Sequence, residues 1–241
     1  MATYAIGDIH GCLQHLESVV RKINPTPDDH LVFLGDYIDR GPQSKEVVDY
    51  LISLAERVRC TFLKGNHEVH LLNCRDSRSD FNLWMYDHFG GRKTTKSYGY
   101  VPEYFSPRWT NSIPDDHWDF FENLKDYLET EEALFIHAGY RHDEDAYRYS
   151  EMTMFWSNCL VDLPYKGTKK VFVGHTPTAD NHPVFGDARI MCDTGCGHPN
   201  GVLTAVHVES CLNGAEPKNQ YIQNDAISEA PGDDASRWEN V

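Results

Sequence analysis

Asp8 and His10 stand two residues apart on a turn flanked by Gly7 and Gly11. Asp36 opens a second polar stretch, Gly35-Asp36-Tyr37-Ile38-Asp39-Arg40-Gly41, and a third reads Gly65-Asn66-His67-Glu68. His137 begins His-Ala-Gly, and His175 lies in Gly-His-Thr-Pro. Carboxylate, amide and imidazole donors in this mixture suit Mn²⁺, Fe or Zn²⁺. A carboxylate such as Asp36 can bridge two ions about 3.5–4 Å apart, the separation used in two-metal phosphoryl chemistry. Glycines beside the donors permit unusual torsions and let backbone approach a phosphate. Each piece alone has a plainer reading. Gly-Asp is common turn chemistry, Asp39-Arg40 reads as an exposed ion pair, and a histidine after a strand is usually hydrogen-bonded structure. Five such loops in order argue against coincidence.

The elements that must position these loops are short apolar runs. Tyr4-Ala5-Ile6, Leu31-Val32-Phe33-Leu34 and Thr61-Phe62-Leu63 each lead into one of the polar stretches. Between them, Leu13, Leu16, Val20 and Ile23, and then Val47, Val48, Leu51, Ile52, Leu54 and Ala55, carry helical spacing. Strand, loop, helix, strand in this rhythm predicts right-handed βαβ units, an α/β class and a parallel core sheet. Ligands then bind at the carboxyl ends of the strands, where the polar stretches fall. An aromatic-rich segment from about residue 76 to 125 reads as helices and loops inserted between strands. Ala133-Leu134-Phe135-Ile136, Val171-Phe172-Val173, Arg189-Ile190-Met191 and Val202-Leu203-Thr204-Ala205-Val206 read as a second, partly antiparallel sheet. One domain over residues 1–214 and a polar tail over 215–241 that frays or drapes on the surface complete the reading.

Composition excludes several classes. Among 241 residues, 22 Lys and Arg stand against 37 Asp and Glu, a net charge of −15. That leaves no evident basic track for a nucleic-acid backbone. No run approaches the roughly 18–20 apolar residues that cross a bilayer, and Met-Ala-Thr-Tyr-Ala-Ile-Gly-Asp shows neither the basic region nor the apolar core expected of a secretory signal. A cytoplasmic compartment is the expectation. Seven cysteines, never in a CxxC pair, read as buried free thiols.

The five motifs together resemble the calcineurin-like metallophosphoesterases over about Tyr4 to Val208. Within them they are similar to the phosphoprotein phosphatase branch, which takes in small bacterial and phage serine/threonine phosphatases and symmetrical diadenosine tetraphosphatases. The resemblance implies a four-layer α+β fold, a central β-sandwich flanked by helices, with a dinuclear centre at one end. It implies Asp8 and His10 on one ion, Asp36 between the two, and Asn66, His137 and His175 on the other. Manganese is the expected metal, with iron or zinc as alternatives. Water held between the ions would attack phosphorus in line. His67 would protonate the leaving oxygen, oriented by Asp39. Arg40 would clamp phosphate, and Glu68 would orient the ligand loop. The chain departs from the pattern at one point. Related phosphatases carry a second phosphate-binding arginine two residues after a tryptophan, whereas Trp156-Ser157-Asn158 offers Asn158. Arg141 and Arg148, in the same segment, are the candidates to supply that charge.

Two substrates divide the branch. A phosphorylated protein side chain fits the complete Gly-Asp-x-x-Asp-Arg-Gly and is the first expectation, as a serine/threonine-type or dual-specificity phosphatase. A dinucleoside tetraphosphate is the alternative, carried by the N-terminal motif and by Gly-Asn-His-Glu-Val-His-Leu-Leu. The aromatic insertion could stack an adenine, though packing over the core is its simpler role. A metal-binding module without turnover is the remote third reading, opposed by the joint presence of His67, Asp39 and Arg40.

Overall fold

The computed structural model describes residues 1–86, 89–100, 107–139, 151–157, 167–216 and 220–226. Five strands form the first sheet: β1 (Thr3–Ile6), β2 (His30–Phe33), β3 (Arg59–Phe62), β9 (Thr204–His207) and β10 (Tyr221–Gln223). Their spatial order is β10-β9-β1-β2-β3; β1, β2 and β3 run parallel, and β9 and β10 run antiparallel to their neighbours. The second sheet contains β4 (Tyr127–Glu129), β5 (Ala133–Ile136), β6 (Lys170–Val173), β7 (Val184–Phe185) and β8 (Arg189–Met191). Here β5, β6 and β8 run parallel, with β4 and β7 antiparallel at the edges.

Alternation along the strands explains the stacking. Ala5, Val32 and Val206 of the first sheet pack against Phe135, Phe172 and Ile190 of the second. The next residues, Ile6, Leu31 and Phe33, point the other way. They pack on Leu16 and Val19 of α1 (Leu13–Ile23) and on Val47 and Leu51 of α2 (Ser44–Ala55). On the far side, Leu134, Ile136 and Val171 meet Met154 and Phe155 of α7 (Glu151–Trp156). Both sheets therefore bury both faces. The result is helix, sheet, sheet, helix: two mixed sheets flanked by helices, the α/β architecture that the resemblance implied.

Two expectations need correction. The run expected to end the second sheet forms β9 instead, beside β1 in the first. Periodicity shows which face of a strand is apolar but not which neighbour it takes. The expected polar tail contributes a strand: Tyr221 and Ile222 pair with β9, and Asp225 reaches Lys22 and Arg21 of α1 at 2.7 and 2.9 Å. An open sheet edge accepts even a short polar strand, because backbone groups make the bonds.

After β3 and α3 (Asn66–Asn73), the insertion consists of α4 (Arg78–Trp84), α5 (Gly91–Ser97), a 3₁₀ turn (Pro107–Ser112) and α6 (Asp115–Glu122). Phe81, Trp84, Trp109 and Phe121 are wholly buried within it. Trp109 lies 5.4 Å from Phe81 and 5.5 Å from Trp84, centroid to centroid. These rings are core, which leaves them no face for a base; Tyr104 and Phe105 lie outside the described residues.

Candidate active site

Each polar stretch leaves the carboxyl end of a strand: Asp8 and His10 after β1, Asp36 to Arg40 after β2, Asn66 to Glu68 after β3, His137 after β5 and His175 after β6. All five strands end on the same side of the sandwich, so the donors converge. Asp8, His10, Asp36, Asn66, His67 and His137 are 5% exposed or less. His10, Asp36, Asp39, Arg40 and His175 all hold positive φ, between 48° and 71°. Side chains rarely tolerate such torsions, and proteins keep them where a site demands it.

Asp36 stands at the centre with its two oxygens facing opposite ways. His10 Nε2 lies 3.6 Å from Oδ2, and His137 Nε2 lies 3.5 Å from Oδ1. Both imidazoles are fixed in tautomer by their other nitrogen. Nδ1 of His10 donates to the Ile38 carbonyl at 2.9 Å, and Nδ1 of His137 to the Leu34 carbonyl at 2.8 Å. Their Nε2 lone pairs therefore point into the cluster. Asn66 Oδ1 sits 2.9 Å from both His137 Nε2 and His175 Nδ1. Asp8 is 4.0 Å from His10 Nε2 and receives the His175 N–H at 3.1 Å. One ligand atom each from Asp36, His137 and His175 lies within 4.8 Å of the other two, and the same holds for His10, Asp36 and His67.

The electrostatics fit divalent cations. Burial, then Asp193 and Asp36, push the Asp8 carboxyl well above the usual range. Burial raises Asp193 to about 6, and its buried Oδ2 has no hydrogen-bond partner. Burial would raise Asp36 as well, but His137, His67, His10 and His175 hold it far below. Burial keeps His10 neutral, followed by Arg40. Three enclosed carboxylates among inward-turned neutral imidazoles form a donor set that added positive charge would satisfy.

Supporting residues hold this cluster in place. Glu68 accepts N–H bonds from Asp36, Tyr37 and Gly65 at 2.9, 2.9 and 3.0 Å. It thereby ties the second loop to the start of α3, the orienting position expected of it. Any side chain at Gly65 would collide with Asp36 Oδ1.

Beside the cluster, His67 Nδ1 donates to Asp39 Oδ2 at 2.7 Å, leaving Nε2 3.8 Å from Asp36 Oδ2. Although burial opposes the charge, Asp36 and Asp39 raise the His67 pKa. Asp39 also receives Trp84 Nε1 at 2.8 Å and Thr94 Oγ1 at 2.5 Å. The Arg40 guanidinium lies on His10 Nε2 at 2.8 Å and His198 Nε2 at 2.9 Å.

Asn158, Arg141 and Arg148 lie outside the described residues. Four contributors escaped the sequence reading. Asp193 follows the run Arg189-Ile190-Met191 and precedes Gly195, the same pattern that marked Asp36, and could have been found. His198, Trp84 and Thr94 carry no local signal, since their partners lie 158, 45 and 55 residues away.

A family model for calcineurin-like phosphoesterases matches residues 1–203. The chain belongs to the calcineurin-like phosphoesterase family. That family consists of phosphoester hydrolases that use divalent metal ions. A symmetrical bis(5'-nucleosyl)-tetraphosphatase from Pseudomonas syringae pv. syringae is 45% identical over 73 residues, 30% of this chain and 24% of that protein. The chain thus matches about a quarter of the length of such relatives. Among solved structures, a provisionally assigned diadenosine tetraphosphatase superposes with TM-score 0.61 at 22% identity, covering 92% of each chain. A serine/threonine phosphatase from Saccharomyces cerevisiae also gives 0.61, at 17% identity over 96% of this chain and 82% of that one. At these identities the phosphoesterase fold is what they share. No described helix is long and apolar enough to cross a membrane.

Proposed function

We propose that this calcineurin-like phosphoesterase hydrolyses dinucleoside tetraphosphates, cutting diadenosine tetraphosphate into two molecules of ADP. The observation that carries the substrate is the 45% identity to symmetrical tetraphosphatases, which favours the second of the two substrates weighed from the sequence. A half-buried aromatic group beside His67 suits a base: His70 lies 4.5 Å from Phe89 and 4.9 Å from Trp156, edge to face.

In this reading Asp8, His10, Asp36, Asn66, His137 and His175 hold two divalent ions. When bound, the ions neutralise phosphate charge and activate water. The remaining work belongs to the chain. Arg40 lets go of His10 and His198 and pairs with phosphate oxygens, where a guanidinium bonds in bidentate fashion. Asp39 keeps the His67 Nδ1 proton in place, and burial beside two aspartates favours a protonated ring. His67 Nε2 then gives its proton to the departing oxygen. The Trp84 and Thr94 donors prevent Asp39 from turning away.

A second reading has its own observation. A well-held histidine acid helps most where the leaving oxygen is strongly basic, as in a phosphoserine ester. The deciding experiment offers Mn²⁺-loaded protein diadenosine tetraphosphate and a phosphoserine/phosphothreonine peptide pool in parallel, with products resolved by chromatography. Conversion to ADP at the higher kcat/KM is expected. Phosphate release from peptides with the dinucleotide intact would overturn the proposal and restore the protein phosphatase.

A further inference from the structure

A second cluster lies next to the His10 loop and takes no part in the scheme above. Cys12 precedes α1, His15 lies three residues further on in its first turn, and Cys196 arrives from the loop between β8 and β9. Residues three apart at a helix start share a face. Their two sulfurs and an imidazole nitrogen lie within 4.8 Å of one another. Cys196 is 1% exposed, whereas Cys12 and His15 are partly open to solvent and leave an entry path.

We infer that Cys12, His15 and Cys196 form a binding site for a thiolate-preferring divalent cation of the zinc class. Two sulfurs and one imidazole select zinc over manganese, which prefers oxygen donors. The active centre offers only oxygen and nitrogen, so the two sites sort ions by softness. Binding replaces the two S–H bonds by metal–sulfur bonds and releases two protons to solvent. The thiols now donate to the carbonyls of His10 and Ile9 at 3.3 and 3.2 Å, so the ion would sit against the backbone that presents Asp8 and His10. Gly197 packs on His10, and His198 bonds Arg40. An ion here therefore clamps the Cys196 loop to the His10 loop, whatever substrate the centre takes.

Cobalt substitution tests this with a readout the active centre cannot give. Co²⁺ bound to thiolate shows an intense sulfur-to-metal charge-transfer band in the near ultraviolet; Co²⁺ bound to oxygen and nitrogen does not. The full chain, kept reduced, should develop that band to saturation within the three equivalents that this site and the two-ion centre take together, and zinc should displace it. Cys12→Ser and Cys196→Ser should abolish the band while the weaker visible bands from oxygen and nitrogen sites remain. His15→Gln, at a partly exposed helix position where folding is safe, should weaken cobalt affinity at least tenfold. Absence of the band in the wild-type chain, its survival in the Cys12→Ser/Cys196→Ser double variant, or unchanged affinity in His15→Gln would overturn the site.

Discussion

Replacing His67 by alanine separates proton donation from metal binding. The imidazole is held by one side-chain bond, 2.7 Å to Asp39. Asp39 keeps Trp84 and Thr94 when His67 is gone, so its carboxylate stays satisfied and placed. The backbone N–H that bonds Asp36 Oδ1 at 3.1 Å also survives. What disappears is the proton at Nε2, and general acid catalysis is worth about 10²–10⁴ in rate, or roughly 3–5.5 kcal/mol of transition-state stabilisation. A phosphoserine peptide, whose leaving group is a strong base, should lose that full factor in kcat/KM. Aryl phosphates and the tetraphosphate, whose leaving groups need little protonation, should lose less than about tenfold. The assay measures the three substrates side by side on wild-type and His67→Ala protein, with bound metal counted by elemental analysis. Equal losses on all substrates would refute the acid role. So would the loss of a metal ion, because His67 would then be a ligand beside His10 and Asp36, with which it shares a 4.8 Å cluster.

Other outcomes follow from the same contacts. Trp84→Phe keeps a ring in the core but removes one donor from the buried Asp39 carboxylate; hydrogen bonds to charged groups contribute about 1.5–3 kcal/mol, and urea denaturation should show a loss of that order, with kcat falling more than KM changes. Gly65→Ala places a methyl against Asp36 Oδ1, so calorimetric metal titration should show occupancy lost while circular dichroism shows the fold retained. His30 is held down at about 4 against 6.5 in the unfolded chain, first by burial and then by Arg59 and Lys125. Its neutral form favours folding, so this contribution is complete above pH 6.5 and is lost as pH falls toward 4. The difference between 6.5 and about 4 would be about 3.4 kcal/mol, and solvent around this partly enclosed ring screens it to something on the order of 2 kcal/mol. His30→Gln should shrink the drop in urea midpoint between pH 7.5 and 5.

The legible part of this molecule was local. Strand-forming runs such as Leu31-Val32-Phe33 are apolar at every position because one face meets helices and the other a sheet, and a reader of the chain sees that run directly. The polar loops were legible for the same reason: Asp36 and Asn66 announce themselves beside glycines at strand ends, where an α/β fold binds its ligands. The placement of β9 was not, because an apolar strand can pair on any edge of suitable length. Nor was the edge strand at Tyr221; core packing was the simpler expectation for the aromatic insertion and Trp84 and Trp109 meet it, but which rings they touch depends on what arrives from elsewhere.

By itself the sequence determined the chemistry available: carboxylates, imidazoles and an arginine spaced along parallel strands, in the pattern of a phosphoesterase. Donor types and their order are covalent facts and survive without a fold. Tertiary structure alone decided how they act on one another. It turned the two oxygens of Asp36 toward different histidines, tied Asp39 to Trp84 and Thr94, left Asp193 without a hydrogen-bond donor at its Oδ2, and brought Cys196 to Cys12 across 184 residues. Those relations depend on distances of a few ångströms, and only packing brings residues so far apart along the chain that close.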